Sequence, residues 1–288
     1  MINVRLRGQL GNVLFQYALA KHLAIKNNTN VKFETGYYFK RNKINGAKVL
    51  GQLKFLNINP QIYNMGIGEK IKSYLGITKY LEKKQVFKEE RLGFDPTFLL
   101  LKDNIVLRGY FQSEKYFKEI ETLIRSDLQF VNHTHSVQFK DMMVIIENVI
   151  SVGLHIRRGD YLKSKRLIDL TSTDYYLNSV NYIRQNVRSP HFFIFSDDID
   201  WCINKLRMPD SSYVDLSESS ENPILDIKLM SSCKHNIIAN STFSWWAAWL
   251  NSFEDKIIIA PNRWFNPSKR NFTFMDDIFP EKWVIIDS

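Results

Sequence analysis

Short apolar runs recur along the chain, each ending in a cluster of polar residues and followed by a stretch with helical spacing. Ile2 to Leu6 is the first. It enters the glycine-bearing turn R-G-Q-L-G-N, after which Val13, Tyr17, Ala20 and Ala24 recur at helical intervals, with Leu10 and Leu14 on the flank. V-K-F-E-T-G-Y-Y predicts a second strand, and N-I-V-L-R-G-Y-F-Q-S another that ends at Gly109 to Gln112. Between them, from about Ala47 to Gly93, the chain is lysine-rich and weakly patterned, and reads as helices with loops. Glu119 to Asn148 is patterned as helix, broken by the polar run Asn132 to Ser136. A boundary there divides the chain into an N-terminal domain, 1–135, and a C-terminal domain, 136–288.

The second half alternates more clearly. Ile150 to Ile156 is a strand, and a helix begins near Ser172 to Asp174. H-F-F-I-F-S is a strand ending at Asp197, and S-Y-V-D-L a short one. Asn222-Pro223 opens a helix, with proline at its favoured first position. H-N-I-I-A then runs through N-S-T-F-S into the helical S-T-F-S-W-W-A-A-W-L, and K-I-I-I-A-P is the last strand of the pattern. Strands alternating with helices predict an α/β fold with mainly parallel sheets. Ligands of such sheets bind beyond the carboxyl ends of the strands, and the polar clusters fall at those ends.

Four clusters carry candidate chemistry. H-I-R-R-G-D, His155 to Asp160, closes a buried strand with charge. His155 and Arg157 share one face of the strand, and Arg158 points the other way. Arg157 is therefore the better candidate to face a ligand, with Arg158 held by Asp160. A guanidinium presents a planar, permanently charged fork that matches phosphate oxygens; the alternative is a strand-end ion pair that only supports the fold. Asn240, Ser241, Thr242 and Ser244 sit where a strand turns into a helix, and free N–H groups with hydroxyls there suit an anion. Trp245, Trp246 and Trp249 in that helix are read as core. F-S-D-D-I-D places Asp197 and Asp198 where carboxylates can take ribose hydroxyls or a purine edge. Asp198 and Asp200 also spell D-x-D, but they equally suit the cap of the next helix and are not taken as a metal site. In the turn Gly8 to Asn12, the glycines allow close backbone approach without fitting a dinucleotide or P-loop pattern. Gly66 to Gly68 fits neither pattern either.

Composition narrows the setting. The 288 residues are 44% hydrophobic and 24% charged, ordinary for a globular protein with a packed core. The two cysteines, Cys202 and Cys233, make no disulfide framework and point to a reducing compartment. The N-terminus carries arginines where a leader peptide needs an apolar core, and nothing approaches a membrane-spanning run. A cytoplasmic location follows as the expectation. Lys and Arg exceed Asp and Glu, 39 − 30 = +9, which suits an anionic ligand or peripheral contact with anionic lipid. The basic residues are scattered in short runs such as Lys83-Lys84, and no nucleic-acid-binding signature accompanies them, so no nucleic-acid partner is expected.

Taken together and in order, these motifs resemble those of the bacterial α-1,2-fucosyltransferases, the glycosyltransferase family that includes the blood-group H enzymes. R-L-R-G-Q-L-G-N-V-L-F-Q-Y is similar to that family's R-x-x-G-G-L-G-N-Q-x-F-Q-Y, and H-I-R-R-G-D-Y to its H-x-R-R-G-D-Y. F-I-F-S-D-D-I-D-W-C and L-M-S-S-C-K-H-N-I-I-A-N-S-T-F-S-W-W-A-A-W-L-N match its later motifs. The resemblance implies a GT-B-like pair of Rossmann-like domains, an acceptor-side domain followed by a donor domain. It also implies GDP-L-fucose as donor substrate, inversion at the sugar, and no metal or other cofactor. The acceptor implied is O2 of a β-galactoside in a surface glycan, which can be lipid-linked. Arg157 then matches the arginine that stabilises the departing diphosphate. Donor binding falls to Arg157, Arg158, Asp197, Asp198, Asn240, Ser241, Thr242 and Ser244, and catalysis to Arg157, Asp160 and His155. The acceptor proton has three candidate recipients: Asp160, His155, or a donor phosphate oxygen. Gly11, Asn12 and Gln16 match the family's first motif and are assigned to the acceptor or fucose. Two positions depart from it, Gln9 for a glycine and Val13 for a glutamine, both expected beside the acceptor. A rival of a different class is a non-catalytic glycan- or nucleotide-sugar-binding module derived from such an enzyme.

Overall fold

The structure, a computed structural model, describes residues 1–35, 38, 46–58, 60, 62–63, 85–131, 136–164, 166–215, 223–266 and 277–288. The fragment Gly66 to Gly68, the lysines Lys83-Lys84, Asn222 and most of the Asn132 to Ser136 boundary lie outside these residues. The chain divides into two units. The first comprises Met1–Val131 with Phe274–Ile278, and the second Asn132–Thr273 with Phe279–Ser288.

The first unit is built on five parallel strands: β1 (Ile2–Arg5), β2 (Val31–Glu34), β3 (Ile62–Tyr63), β4 (Gln85–Lys88) and β5 (Ile105–Arg108). Their order across the sheet is β3-β2-β1-β5-β4. β1 and β5 are central and buried, which is why both read as apolar runs. Helix α1 (Leu10–Lys26) follows β1 and buries Val13, Tyr17, Ala20 and Ala24, as its period predicts. The shorter helices α2 (Gly46–Gln52) and α3 (Glu121–Asp127) complete the unit. The weakly patterned middle is not helix and loop alone. It supplies β3 and β4, and β4 is an edge strand whose side chains are mostly exposed, so no apolar run marks it.

The second unit carries six parallel strands: β6 (Ile150–Ile156), β7 (Pro190–Ser196), β8 (Ser211–Tyr213), β9 (His235–Ile237), β10 (Ile258–Pro261) and β11 (Val284–Ile286). Between them run α4 (Val137–Asn148), which precedes β6, α5 (Tyr175–Asn186), α6 (Ile199–Lys205), α7 (Ile224–Ser232) and α8 (Thr242–Leu250). The sheet order β8-β7-β6-β9-β10-β11 is the 3-2-1-4-5-6 order of a doubly wound nucleotide-binding sheet. Val152, Leu154, Ile156, Phe192, Ile194, Ile237 and Ile259 form its core with Tyr175, Val180 and Ile183. Trp245, Trp246 and Trp249 are buried and pack ring on ring, so all three belong to the core. Both cysteines are buried and free. Among the described residues no helix is long and apolar enough to cross a membrane. The fold class is therefore the α/β, GT-B-like one implied by the sequence motifs, with one Rossmann-like sheet in each unit.

Gln16 fixes the first unit from inside. It is wholly buried; its Oε1 accepts from the Arg7 N–H at 3.1 Å, and its Nε2 donates to the carbonyls of Arg7 (3.1 Å) and Gly109 (3.0 Å). One amide thus ties the loops after β1 and β5 together and is taken up by backbone, which removes Gln16 from the residues facing a ligand. Val13, expected beside the acceptor, is also buried in the core, on the inner face of α1. Gln16→Leu keeps the volume and strips three partners from buried backbone groups. We expect a loss of about 2–4 kcal/mol in unfolding free energy, measured by denaturant titration, because unsatisfied buried polar groups carry their full desolvation cost.

Candidate active site

The switch point of the second sheet lies between β6 and β9, where the strand order reverses. Side chains at the carboxyl ends of those strands therefore line the crevice in which such sheets hold ligands. The loop after β6 begins with Arg157, and the loop after β9 contains Asn240 and Ser241. The carboxyl end of the neighbouring β7 adds Asp197 and Asp198.

These loops interlock. Arg157 donates from Nε (3.2 Å) and Nη2 (2.8 Å) to Oδ1 of Asp160, and its Nη1 lies 3.2 Å from Oδ2 of Asp197. The other oxygen of Asp197 accepts the backbone N–H of Arg158 at 2.8 Å. Arg158 turns to the opposite face. It donates to Asp198 at 3.1 Å and to the Thr171 hydroxyl at 2.7 Å, and its guanidinium lies 3.9 Å from the centre of the Trp201 ring. Asp160 thus holds Arg157, not Arg158 as the alternation along the strand suggested, because the chain turns back after Gly159 and brings Asp160 beside its third neighbour. Gly159 has to be glycine: a β-carbon there would stand 2.4 Å from Oδ2 of Asp197.

The sequence offers Asp197 and Asp198 to a ribose or a base. Their carboxylates instead order the two arginines, and Asp198 also caps α6 by accepting the Trp201 N–H at 3.3 Å. Arg158 is likewise bound on all sides, so it supports the site from beneath. Arg157 differs. Its side chain is 29% exposed, and Asp160, the partner on its open side, is 64% exposed. An exposed pair of this kind contributes at most about 1 kcal/mol, so an anionic ligand can displace Asp160 cheaply.

The turn after β9 also separates on inspection. Asn240 donates to the carbonyls of Ile168 and Trp264, both at 3.0 Å, and is buried. Ser244 is buried and donates back to the Ser241 carbonyl at 3.2 Å. Neither faces a ligand. Ser241 caps α8 by accepting the Phe243 N–H, and the half-buried Thr242 makes no side-chain hydrogen bond among the described residues. The anion-suited part of this turn is the start of α8 with these two hydroxyls. Tyr161, which the motif reading passed over, couples the loops. Its hydroxyl donates to the Asn240 carbonyl at 3.0 Å while the Arg157 guanidinium lies 5.5 Å from its ring centre. Burial pushes its phenol up to about 12, so it stays a donor.

His155 is buried, 5.6 Å from Phe243 ring to ring, and its Nδ1 has no hydrogen-bond partner among the described residues. Burial first, then the Arg157 charge, hold its imidazole down to about 3. A group so reluctant to take a proton is a poor general base, which removes His155 from the proton-accepting candidates.

The remaining predicted residues lie in the first unit. Gly8 adopts φ +87°, and a β-carbon there would stand 2.5 Å from Nδ2 of Asn12, so the amide of Asn12 occupies the space that the glycine leaves. Gly11 is buried in the first turn of α1, and Gln9, exposed, precedes that helix.

Comparison with known proteins decides the family. The model of glycosyl transferase family 11 matches residues 77–287, well over half of the chain. The chain belongs to glycosyl transferase family 11. A relative that aligns along its whole length, the α-1,2-colitosyltransferase of Escherichia coli, is 32% identical over 100% of this chain and 99% of its own. The O-antigen biosynthesis glycosyltransferase WbnK of Escherichia coli is 41% identical over 46% of this chain and 45% of its own. The galactoside 2-α-L-fucosyltransferase SEC1 of Bos taurus is 34% identical over 34% of this chain and 28% of its own. Among solved structures, Arabidopsis thaliana FUT1 in complex with GDP superposes with a TM-score of 0.50 at 10% identity, covering 89% of this chain and 69% of that one. That likeness is one of fold. This family 11 protein is a glycosyltransferase of the fucosyltransferase-like kind.

The His155 geometry has a consequence for pH. The unfolded imidazole takes a proton near its ordinary value of about 6.5, while the folded one stays neutral down to about 3. Between those limits the unfolded state binds more protons, so stability falls as pH falls, by up to about 1.4 kcal/mol per pH unit from this group. Melting temperatures of His155→Gln should therefore decline less steeply than those of the unsubstituted protein between pH 6 and pH 4. Parallel slopes would show that the imidazole is not held neutral.

Proposed function

We propose that the protein transfers L-fucose from GDP-L-fucose to O2 of a β-galactoside, with inversion, in the synthesis of a surface glycan. One observation carries the reading: Arg157 stands at the switch point of a 3-2-1-4-5-6 sheet, with only an exposed carboxylate on its open side, beside the start of α8. A diphosphate fits that arrangement. Its oxygens replace Asp160 on the guanidinium fork and meet the free N–H groups of α8 with the hydroxyls of Ser241 and Thr242.

The chemistry then follows from charge. As the acceptor oxygen forms its bond to C1 of fucose, the bond from C1 to the diphosphate breaks and negative charge grows on the leaving oxygens. Arg157 is already oriented by Asp197 and Tyr161, so it meets that charge without reorganising. The acceptor proton passes to Asp160, freed from Arg157 by the donor, or to a phosphate oxygen. No metal ion has a part in this reading, because Arg157 and the start of α8 supply the positive potential. The arginine–carboxylate lattice, which orients Arg157 beforehand, supports transfer over the rival reading of a binding module, which has no use for a cation aimed at a leaving group.

A second donor is favoured by the relative that spans the whole chain, an α-1,2-colitosyltransferase. Colitose is L-fucose without its 3-hydroxyl, so GDP-L-colitose would present the same diphosphate to Arg157. Measuring GDP release and product linkage with both donors on a panel of galactosides decides between them. Transfer from neither would overturn the proposal.

Arg157→Ala should retain the fold by circular dichroism and lose about 10²–10³ in kcat, equivalent to about 3–4 kcal/mol of transition-state stabilisation. Arg157→Lys should recover little of it, since an ammonium cannot form the bidentate fork. In excess EDTA the unsubstituted enzyme should keep its rate. Loss that Mn²⁺ or Mg²⁺ restores would return Asp198 and Asp200 as metal ligands.

A further inference from the structure

The first unit has a switch point of its own, between β1 and β5, where the order β3-β2-β1-β5-β4 reverses. Asn12 lies in the first turn of α1, which follows β1, and Gln112 in the loop that leaves β5. The two amides are joined: Nε2 of Gln112 donates to Oδ1 of Asn12 at 2.7 Å. That bond uses the donor of one amide and the acceptor of the other. It leaves an acceptor, Oε1 of Gln112, and a donor, Nδ2 of Asn12. Gln112 is 8% exposed, and its Oε1 is buried with no hydrogen-bond partner among the described residues. A buried acceptor left unmatched is costly, and native structures rarely keep one without a use.

The strand end is built to hold Gln112 there. Phe111 has φ +55°, a left-handed conformation unfavourable for a bulky side chain. It is kept there by Glu89, whose carboxylate accepts the N–H groups of Tyr110 (2.8 Å) and Phe111 (2.7 Å). Burial raises the pKa of Glu89, while those two N–H groups and the Arg7 charge pull the other way. A strained turn braced by a half-buried carboxylate is the type of local cost that persists where a side chain must be aimed.

We infer that the Asn12–Gln112 amide couple is a hydroxyl-binding site for the neutral sugar acceptor, that Gln112 is a specificity-determining residue, and that Glu89 positions it. The chemistry names the ligand class. A sugar hydroxyl donates and accepts at once, and so complements the unmatched carbonyl oxygen of Gln112 beside the amide N–H of Asn12. A phosphate or carboxylate would meet the Gln112 oxygen with repulsion, which excludes an anion from this couple. The inference rests on the reading of the protein as a galactoside-modifying transferase and adds the element that chooses the acceptor.

The experiment compares the unsubstituted protein with Gln112→Ala and Glu89→Gln on methyl β-galactoside and its monodeoxy analogues. Two measurements are made: transfer kinetics, and ligand binding by saturation-transfer NMR. In the unsubstituted protein one deoxy analogue should lose about tenfold to a hundredfold in kcat/KM, because a site built for a hydroxyl rejects the analogue that lacks it. Gln112→Ala should raise the KM for the galactoside by a similar factor and abolish that discrimination, leaving the donor KM and donor hydrolysis unchanged. Glu89→Gln should shift the acceptor KM in the same direction, again without changing the donor KM. Unaltered discrimination in Gln112→Ala, or a change in donor KM of equal size, overturns the inference. If the unsubstituted protein transfers nothing, the donor reading fails by itself. NMR then still tests the couple: galactoside binding lost in Gln112→Ala supports it, and no binding to the unsubstituted protein overturns it.

Discussion

Asp197 places one carboxylate oxygen on the guanidinium of Arg157 and the other on the backbone N–H of Arg158, at the point where β6 and β7 end side by side. Almost every feature of the geometry around the carboxyl end of β6 depends on that arrangement. It requires a residue without a β-carbon at 159, it turns the chain so that Asp160 returns to Arg157, and it sends Arg158 to the far face to meet Asp198 and Trp201. Two arginines stand among three carboxylates, Asp160, Asp197 and Asp198, so the cluster without a phosphate carries no surplus of positive charge. Asp197, the less exposed of the two carboxylates on Arg157, keeps the guanidinium aligned whether or not the exposed Asp160 is displaced. This is orientation set before the ligand arrives, which is what a site stabilising a leaving group needs.

The two units solve the same topological problem with different chemistry. Each places its polar loops at the carboxyl edge of a parallel sheet, beside the strand pair where the order reverses. In the second unit the loops carry permanent charge and the start of a helix, features suited to a diphosphate. In the first they carry neutral amides, with Gln16 locking the backbone beneath and Asn12 packed over Gly8. Amides bind hydroxyls without preference for charge, so the two sheet edges differ in the ligand chemistry they suit.

Much of the fold was legible because parallel strands buried on both faces read as unbroken apolar runs. β1, β5, β6, β7, β9 and β10 were all visible in this way, as was α1 from its period. β4 was not, because an edge strand with exposed side chains carries no such run, and β11, apolar but only three residues long, is too short to stand out. Site residues were legible by type and order more than by role. Arg157 could be singled out from the two-residue period of a strand, but the strand ends at Ile156, and the period says nothing about a turn.

The sequence by itself determined the class of fold, the order of the clusters and their chemical kinds, since these depend on residue type and local spacing. Only the tertiary structure decided which polar side chains are free to act. Asn240 and Gln16 have the look of ligand residues and are bound to backbone carbonyls distant in sequence, while Ser244 is buried and bound to its own turn. His155 became too buried to accept a proton. Gln112, unremarkable in the sequence, acquired an unmatched acceptor because Asn12 took its donor across a gap of 100 residues. Hydrogen-bond capacity belongs to the residue, but whether it is already engaged depends on which loops the sheet brings together.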